Sequence, residues 1–129
     1  QPNDLLRLAI QSGPVIKQNG SYQTVTQGNS NLDRRVLAGV TGDNEAVLLV
    51  VYDTNSVFLG PKLADLPKIL RLVEDQSSLV LADIINLDGG TASTFQASGV
   101  NLPELSPVGS FFCVKKYADS KQKISALTI

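Results

Sequence analysis

The sequence predicts an α+β fold, a mixed or antiparallel sheet with one main helix. Three observations carry this expectation. Two β-branched-rich runs, residues 35–41 and 46–52, flank Gly42-Asp43-Asn44-Glu45, a hairpin signature. A single amphipathic stretch, 63–73, puts Leu63, Leu66, Ile69, Leu70 and Val73 on one helical face. A third apolar run, 79–87, stops abruptly at Asp88-Gly89-Gly90, as a buried strand does when it delivers a carboxylate to its exposed end.

The remaining elements follow in chain order. Residues 4–11 (DLLRLAIQ) have the apolar spacing of a short helix, with Asn3 or Asp4 as its cap, and Ser12-Gly13-Pro14 stops it. Residues 15–17 are extended and turn at Asn19-Gly20; 22–26 make another strand, and 27–33 a polar surface loop. The 46–52 run is apolar on both parities, which predicts a central strand covered on both faces. Pro67 fits the helix if the helix begins near Leu66 and the proline occupies its first turn. The 79–87 run is a strand, with a helical first half as the alternative. Residues 93–97 and 110–116 read as further strands, and 101–107, with two prolines, as a loop. Residues 115–122 are polar, and the tail 123–129 suits an edge strand.

At 129 residues the chain is one domain with room for a core, and 43% apolar against 18% charged residues marks it as globular. Eleven basic and 12 acidic residues leave a net charge of −1, so there is no electrostatic case for a nucleic-acid or anionic-membrane partner. The longest apolar run, 46–52, is far too short to span a bilayer. There is no histidine, and Cys113 is the one cysteine. Internal disulfides, the common zinc sites, and Ser–His or Cys–His catalysis are excluded for this chain. Any general acid or base is Asp, Glu, Lys, Tyr or a group from elsewhere. Cys113 sits in the apolar Ser110-Phe111-Phe112-Cys113-Val114 and reads as a buried structural thiol rather than a nucleophile. With no methionine and an opening Gln1, the chain is expected to be a processed, trimmed or truncated piece of a longer protein.

The residues that can carry chemistry gather in few places. Asn86, two positions before Asp88, shares a strand face with it if the strand is regular. Asp88 is then a base, a nucleophile or a metal ligand, and the N–H groups of Gly89 and Gly90 can cradle an anionic oxygen. The plain alternative is an Asp-Gly β-turn, although a turn needs no Asn86. In Arg34-Arg35 one guanidinium can face a site while the other faces solvent, or both form a solvated pair at a strand entrance. Ser12-Gly13-Pro14 is an ordinary helix stop unless Ser12 or Gln11 bonds a ligand. Asn19-Gly20-Ser21 is a formal glycosylation sequon that overlaps a turn and carries little weight.

In this order, Gln11-Ser12-Gly13-Pro14-Val15-Ile16, Gly20, Arg35-Val36-Leu37-Ala38-Gly39-Val40, a leucine-rich helix and Asn86-Leu87-Asp88-Gly89-Gly90 resemble the phosphodiester glycosidase family. Its animal member uncovers mannose 6-phosphate on lysosomal hydrolases by removing an N-acetylglucosamine cap. The resemblance spans residues 8–114, and the Asn-Leu-Asp-Gly-Gly string is its most specific part. It implies an α+β fold and hydrolysis of a sugar–phosphate diester at the anomeric carbon, in an extracytoplasmic setting. Asn86 and Asp88 would be catalytic. Arg35, Ser12, Gly13, Gly89, Gly90 and Ser93 would bind the substrate or its phosphate. A leaving phosphate needs charge stabilisation more than protonation, which Arg35 and the glycine amides would supply. Asp88 would activate water or stabilise an oxocarbenium-like centre, and a Ca²⁺ or Mg²⁺ ion on Asp88 is a further option. This reading requires the Asp88 carboxylate and the Arg35 guanidinium to converge on one solvent-reachable hollow.

Two departures matter. The family usually continues Gly-Gly-Gly-Ser-Ser-Thr, where this chain has Gly89-Gly90-Thr91-Ala92-Ser93-Thr94. The family domain also has an N-terminal, glycine-rich portion ahead of the Ser-Gly-Pro element. The chain is therefore expected to be the C-terminal portion of a larger domain, its site completed by the missing portion or by a second chain. Two functions follow: a hydrolase acting on a carbohydrate-phosphate substrate, or a non-catalytic glycan- or protein-binding module that keeps the fold.

Overall fold

The computed structural model describes residues 9–26 and 30–114. The helix expected at 4–11 falls mostly outside them, and the described residues 9–11 are not helical; the tail strand at 123–129 lies outside altogether. Seven strands and one main helix are described: β1 (Val15–Gln18), β2 (Ser21–Tyr22), β3 (Arg35–Thr41), β4 (Ala46–Val51), α1 (Leu66–Gln76), β5 (Leu81–Gly89), β6 (Phe95–Ala97) and β7 (Val100–Leu102). The five-stranded sheet runs β2-β1-β5-β3-β4, with every pair antiparallel, and β6-β7 form a separate hairpin. The fold is α+β, as the sequence predicts.

Local chemistry explains most of these elements. Asn19 and Gly20 both take positive φ (48° and 78°), which a two-residue hairpin turn requires and an Asn-Gly pair tolerates. The β3–β4 turn closes with Thr41 N–H donating to the Glu45 carbonyl at 2.9 Å and Asn44 at φ 67°. A 3₁₀ turn, Leu63–Asp65, leads into α1, and Pro67 sits in the first turn of α1, where its missing N–H costs no hydrogen bond. Gly39 is required by proximity, since a Cβ there would lie 2.0 Å from the Asp83 carbonyl oxygen on β5.

The helix covers one face of the sheet. Leu63, Leu66 and Leu70 pack on Ile16, Leu37, Leu81 and Ile84 to make the core. Each such side chain contributes about 1.5–3 kcal/mol by leaving water. A polar latch reinforces the contact. Lys17 Nζ donates to both Glu74 carboxylate oxygens at 2.8 and 2.9 Å, Tyr22 Oη donates at 2.5 Å, and Leu81 N–H donates at 2.7 Å. Lys17 and Arg71 both stand over the Tyr22 ring.

Four expectations are corrected. β4 is not central: it forms the free edge of the described sheet, and Leu48 is exposed. Its double-sided apolar pattern reflects a second face on which no described helix lies. The strand expected at 22–26 is only two residues long. The loop expected at 101–107 instead begins in β7, which pairs with β6 across Ser98-Gly99, with Gly99 at φ 79°. Residues 110–114 form no strand, Cys113 is exposed, and Phe111 is 82% accessible. A run of apolar residues becomes a strand only where a neighbour offers a ladder, and none of the described strands does so here.

Candidate functional site at the end of strand β5

The candidate site lies where β3 begins and β5 ends. Along this pair the register is Gly39↔Ile84, Ala38↔Ile85, Leu37↔Asn86 and then Val36↔Asp88, so Leu87 is an extra residue, a β-bulge. Opposed residues of an antiparallel pair share a face, and successive residues of a strand alternate. Asn86 therefore lies on the helix-covered face with Leu37 and Arg35, and Asp88 lies on the other face with Val36. The two-residue spacing of Asn86 and Asp88 does not put them on one side, because the bulge shifts the alternation by one. Nor do Asp88 and Arg35 open into one hollow. They leave opposite faces and meet at Gly89, which follows Asp88 in the chain and pairs with Arg35.

Asn86 is a buried anchor, 7% exposed. Its backbone N–H donates to the Pro14 carbonyl at 3.0 Å and its Nδ2 to the Gly13 carbonyl at 3.2 Å. Its Oδ1 is buried and has no hydrogen-bond partner. Ser12 completes this corner: its hydroxyl points at the Asn86 and Leu87 carbonyls, 2.7 and 2.9 Å away. Ser12, Gly13 and Asn86 thus come together, as the motif order implies.

Neither arginine faces solvent, which corrects the expected division of labour. Arg34 is wholly buried. Its Nε donates to Ser93 Oγ at 3.0 Å, Nη1 to the Val57 carbonyl at 3.0 Å, and Nη2 to the Ser93 and Pro103 carbonyls, while the guanidinium stands over Phe58. Burial holds its pKa below the usual arginine value, and Glu104 partly offsets this. Arg35, 5% exposed, donates through Nε to the Pro61 carbonyl at 3.2 Å and through Nη2 to the Asn31 carbonyl at 2.9 Å. Its Nη1 lies 3.2 Å from where a Gly89 Cβ would stand.

The two glycines work by being small. A Cβ on Gly89 would lie 2.5 Å from the Arg34 carbonyl, and Gly90 has φ 65°, a conformation that side chains rarely adopt. Their amides do not form an oxyanion cradle: Gly89 N–H donates to Asp88 Oδ1 at 2.7 Å, and Gly90 N–H to the Arg34 carbonyl at 2.9 Å. Ser93 is buried as well; its hydroxyl donates to the Gly90 carbonyl at 2.8 Å while accepting from Arg34. Thr91, where the resemblance expects a third glycine, has no positive φ, and its Oγ1 lies 3.1 Å from Ser106 Oγ.

Asp88 is the exposed member. Among the described residues no three His, Cys, Asp or Glu side chains are grouped so as to hold a metal ion. Sequence reasoning missed Asp33, whose Oδ2 is 3.7 Å from Arg35 Nη2 and whose Oδ1 would lie 3.4 Å from a Cβ on Gly90. Its position two residues before Arg35 in an extended stretch was the available signal.

The candidate site thus comprises a strand-end carboxylate, a bulged strand and a glycine pair beside an arginine. A sequence model of the family described as phosphodiester glycosidase matches residues 1–115. The chain belongs to the phosphodiester glycosidase family. No curated protein and no solved structure matches it. Among the described residues no helix is long and apolar enough to cross a membrane.

Proposed function

We propose that this domain hydrolyses a glycosyl phosphodiester at the anomeric carbon, with the diester lying across Gly89-Gly90. Asp88 and Arg35 share no hollow, so the reading rests on membership of the phosphodiester glycosidase family together with the exposed Asp88 carboxylate at the end of β5. Arg35, buried on the helix-covered side with Nη1 3.2 Å from where a Gly89 Cβ would stand, would stabilise the phosphate charge from behind Gly89. Asp88, on the open face, would activate water or stabilise the charge that develops at the anomeric carbon. Asn86 would hold an internal water on its buried Oδ1, and Gly13 and Ser93 would shape the chain around the strand end. The substrate is a carbohydrate phosphate and the setting extracytoplasmic, as family membership suggests.

We infer further that the chain is the C-terminal portion of a larger domain. The bare sheet face and the free edge of β4 are where a polypeptide completing the site would pack. The test of activity is turnover of an activated sugar phosphodiester. Asp88→Asn is expected to lower kcat by roughly a hundredfold or more; unchanged turnover would sink the reading.

One observation favours a second reading, a non-catalytic glycan- or protein-binding module. The hydroxyl hydrogens of Ser12 and Ser93 and the amides of Gly89 and Gly90 are all used inside the chain. Sugar binding without turnover in the full-length protein would establish this alternative.

A further inference from the structure

The bulge at Leu87 has an identifiable cause on the side of β5 away from β3. In an unbroken antiparallel strand, successive carbonyls point to alternate neighbours. The Asn86 N–H donates to the Pro14 carbonyl, so the Asn86 backbone faces the β1 side, and the Leu87 carbonyl would then face β3. Instead, both carbonyls lie within hydrogen-bond distance of one hydroxyl, Ser12 Oγ, at 2.7 and 2.9 Å. The Leu87 carbonyl has turned away from the β3 ladder, as an extra residue must. The same turn decides where Asp88 goes. With the bulge, Asp88 opposes Val36 on the open face; without it, Asp88 would share the helix-covered face with Asn86.

We propose that Ser12 is a positioning residue: its hydroxyl pins the two carbonyls of the Leu87 bulge and so holds the Asp88 carboxylate on the open face. The role rests on the proposed function only for its effect on turnover; its effect on Asp88 exposure stands by itself. Ser12 is spent on the bulge and does not bind substrate through its donor. A β-branched hydroxyl serves as well as serine, while a valine of the same shape leaves the Leu87 carbonyl without a donor.

The experiment uses the full-length protein and compares Ser12→Thr with Ser12→Val. Turnover of an activated sugar phosphodiester gives kcat and KM separately. Ser12→Thr is expected to stay within about twofold of the parent. Ser12→Val is expected to lose roughly tenfold to a hundredfold in kcat with KM little changed, the scale expected when a reacting group is misplaced by an ångström. A rise in KM alone would make Ser12 a substrate contact and overturn the proposal. The second readout needs no activity. In a Cys113→Ser background, Asp88→Cys is labelled with a charged thiol reagent, and adding Ser12→Val is expected to slow labelling several-fold. Equal labelling rates would overturn the proposal even where turnover is absent. Absence of turnover in the full-length protein would overturn the proposed function and leave the labelling result to decide the role of Ser12.

Discussion

Two buried cations secure the sheet at different places, and they are neutralised in different ways. Lys17 lies under α1 and meets a carboxylate, Glu74, which also receives Tyr22 Oη and the Leu81 amide. Arg34 lies beside the glycine turn and meets carbonyls, from Val57, Ser93 and Pro103, together with the Ser93 hydroxyl. The first arrangement is an ion pair embedded in hydrogen bonds, which changes with pH. The second is a planar fork that ties four chain segments together, and its acceptors do not titrate. The helix is thus held to the sheet by charge, and the candidate site by geometry.

The largest effect is expected at Arg34. Arg34→Met takes the donor from the buried Ser93 carbonyl, at about 1–3 kcal/mol, and from the part-buried Val57 and Pro103 carbonyls, which cost less each, so the loss is expected at roughly 3–5 kcal/mol. Arg34→Lys should recover little of it, because a single ammonium cannot reach acceptors spread around a fork. Thermal denaturation of both variants is the measurement; a lysine variant as stable as the parent would break the contrast drawn above. Lys17→Met comes next, at about 2–3 kcal/mol, since Glu74 keeps its bonds from Tyr22 and Leu81 but loses its cation.

The pH dependence sharpens the same comparison. Burial alone would raise the Glu74 pKa, but the hydrogen bonds from Lys17, Tyr22 and Leu81 outweigh it and hold the carboxyl below its usual 4.5. Its contribution to stability is therefore full above that value and lost as pH falls through the lowered folded one. Burial and then the Glu74 bond raise the Tyr22 phenol, so its contribution is complete below pH 10.0 and fades in stronger alkali. Urea denaturation across the acid range should show a slope that Glu74→Gln flattens and Arg34→Met leaves unchanged. The smallest effect is expected from Thr91→Gly, which removes the Ser106 contact and loosens the backbone: about 1 kcal/mol of stability, read from the shift in the urea midpoint.

Much of the fold was legible because its causes are local. Asn19-Gly20 turns, Pro67 starts a helix, and the leucine spacing of 63–73 selects the buried face, all without reference to distant residues. The site was legible only as a set of residues. Ser12, Gly13 and Asn86 do meet, and Arg35 does reach Gly89. The face on which Asp88 lies was not legible, because period-2 alternation carries no record of a bulge set by a serine 75 residues away at Leu87. The burial of Arg34 was equally hidden, since two adjacent arginines read as solvated charge until the carbonyls that receive them are brought together.

The sequence by itself determined the strand, turn and helix chemistry and the ordered motifs that place the chain in its family. Those depend on neighbours a few residues apart. Only the tertiary structure decided that β4 is an edge of the described sheet, that Phe111 and Cys113 are exposed, and that Asp88 and Arg35 lie on opposite faces. Each of these depends on register and on which strand lies alongside, and hydrogen bonds between residues far apart in the chain set both.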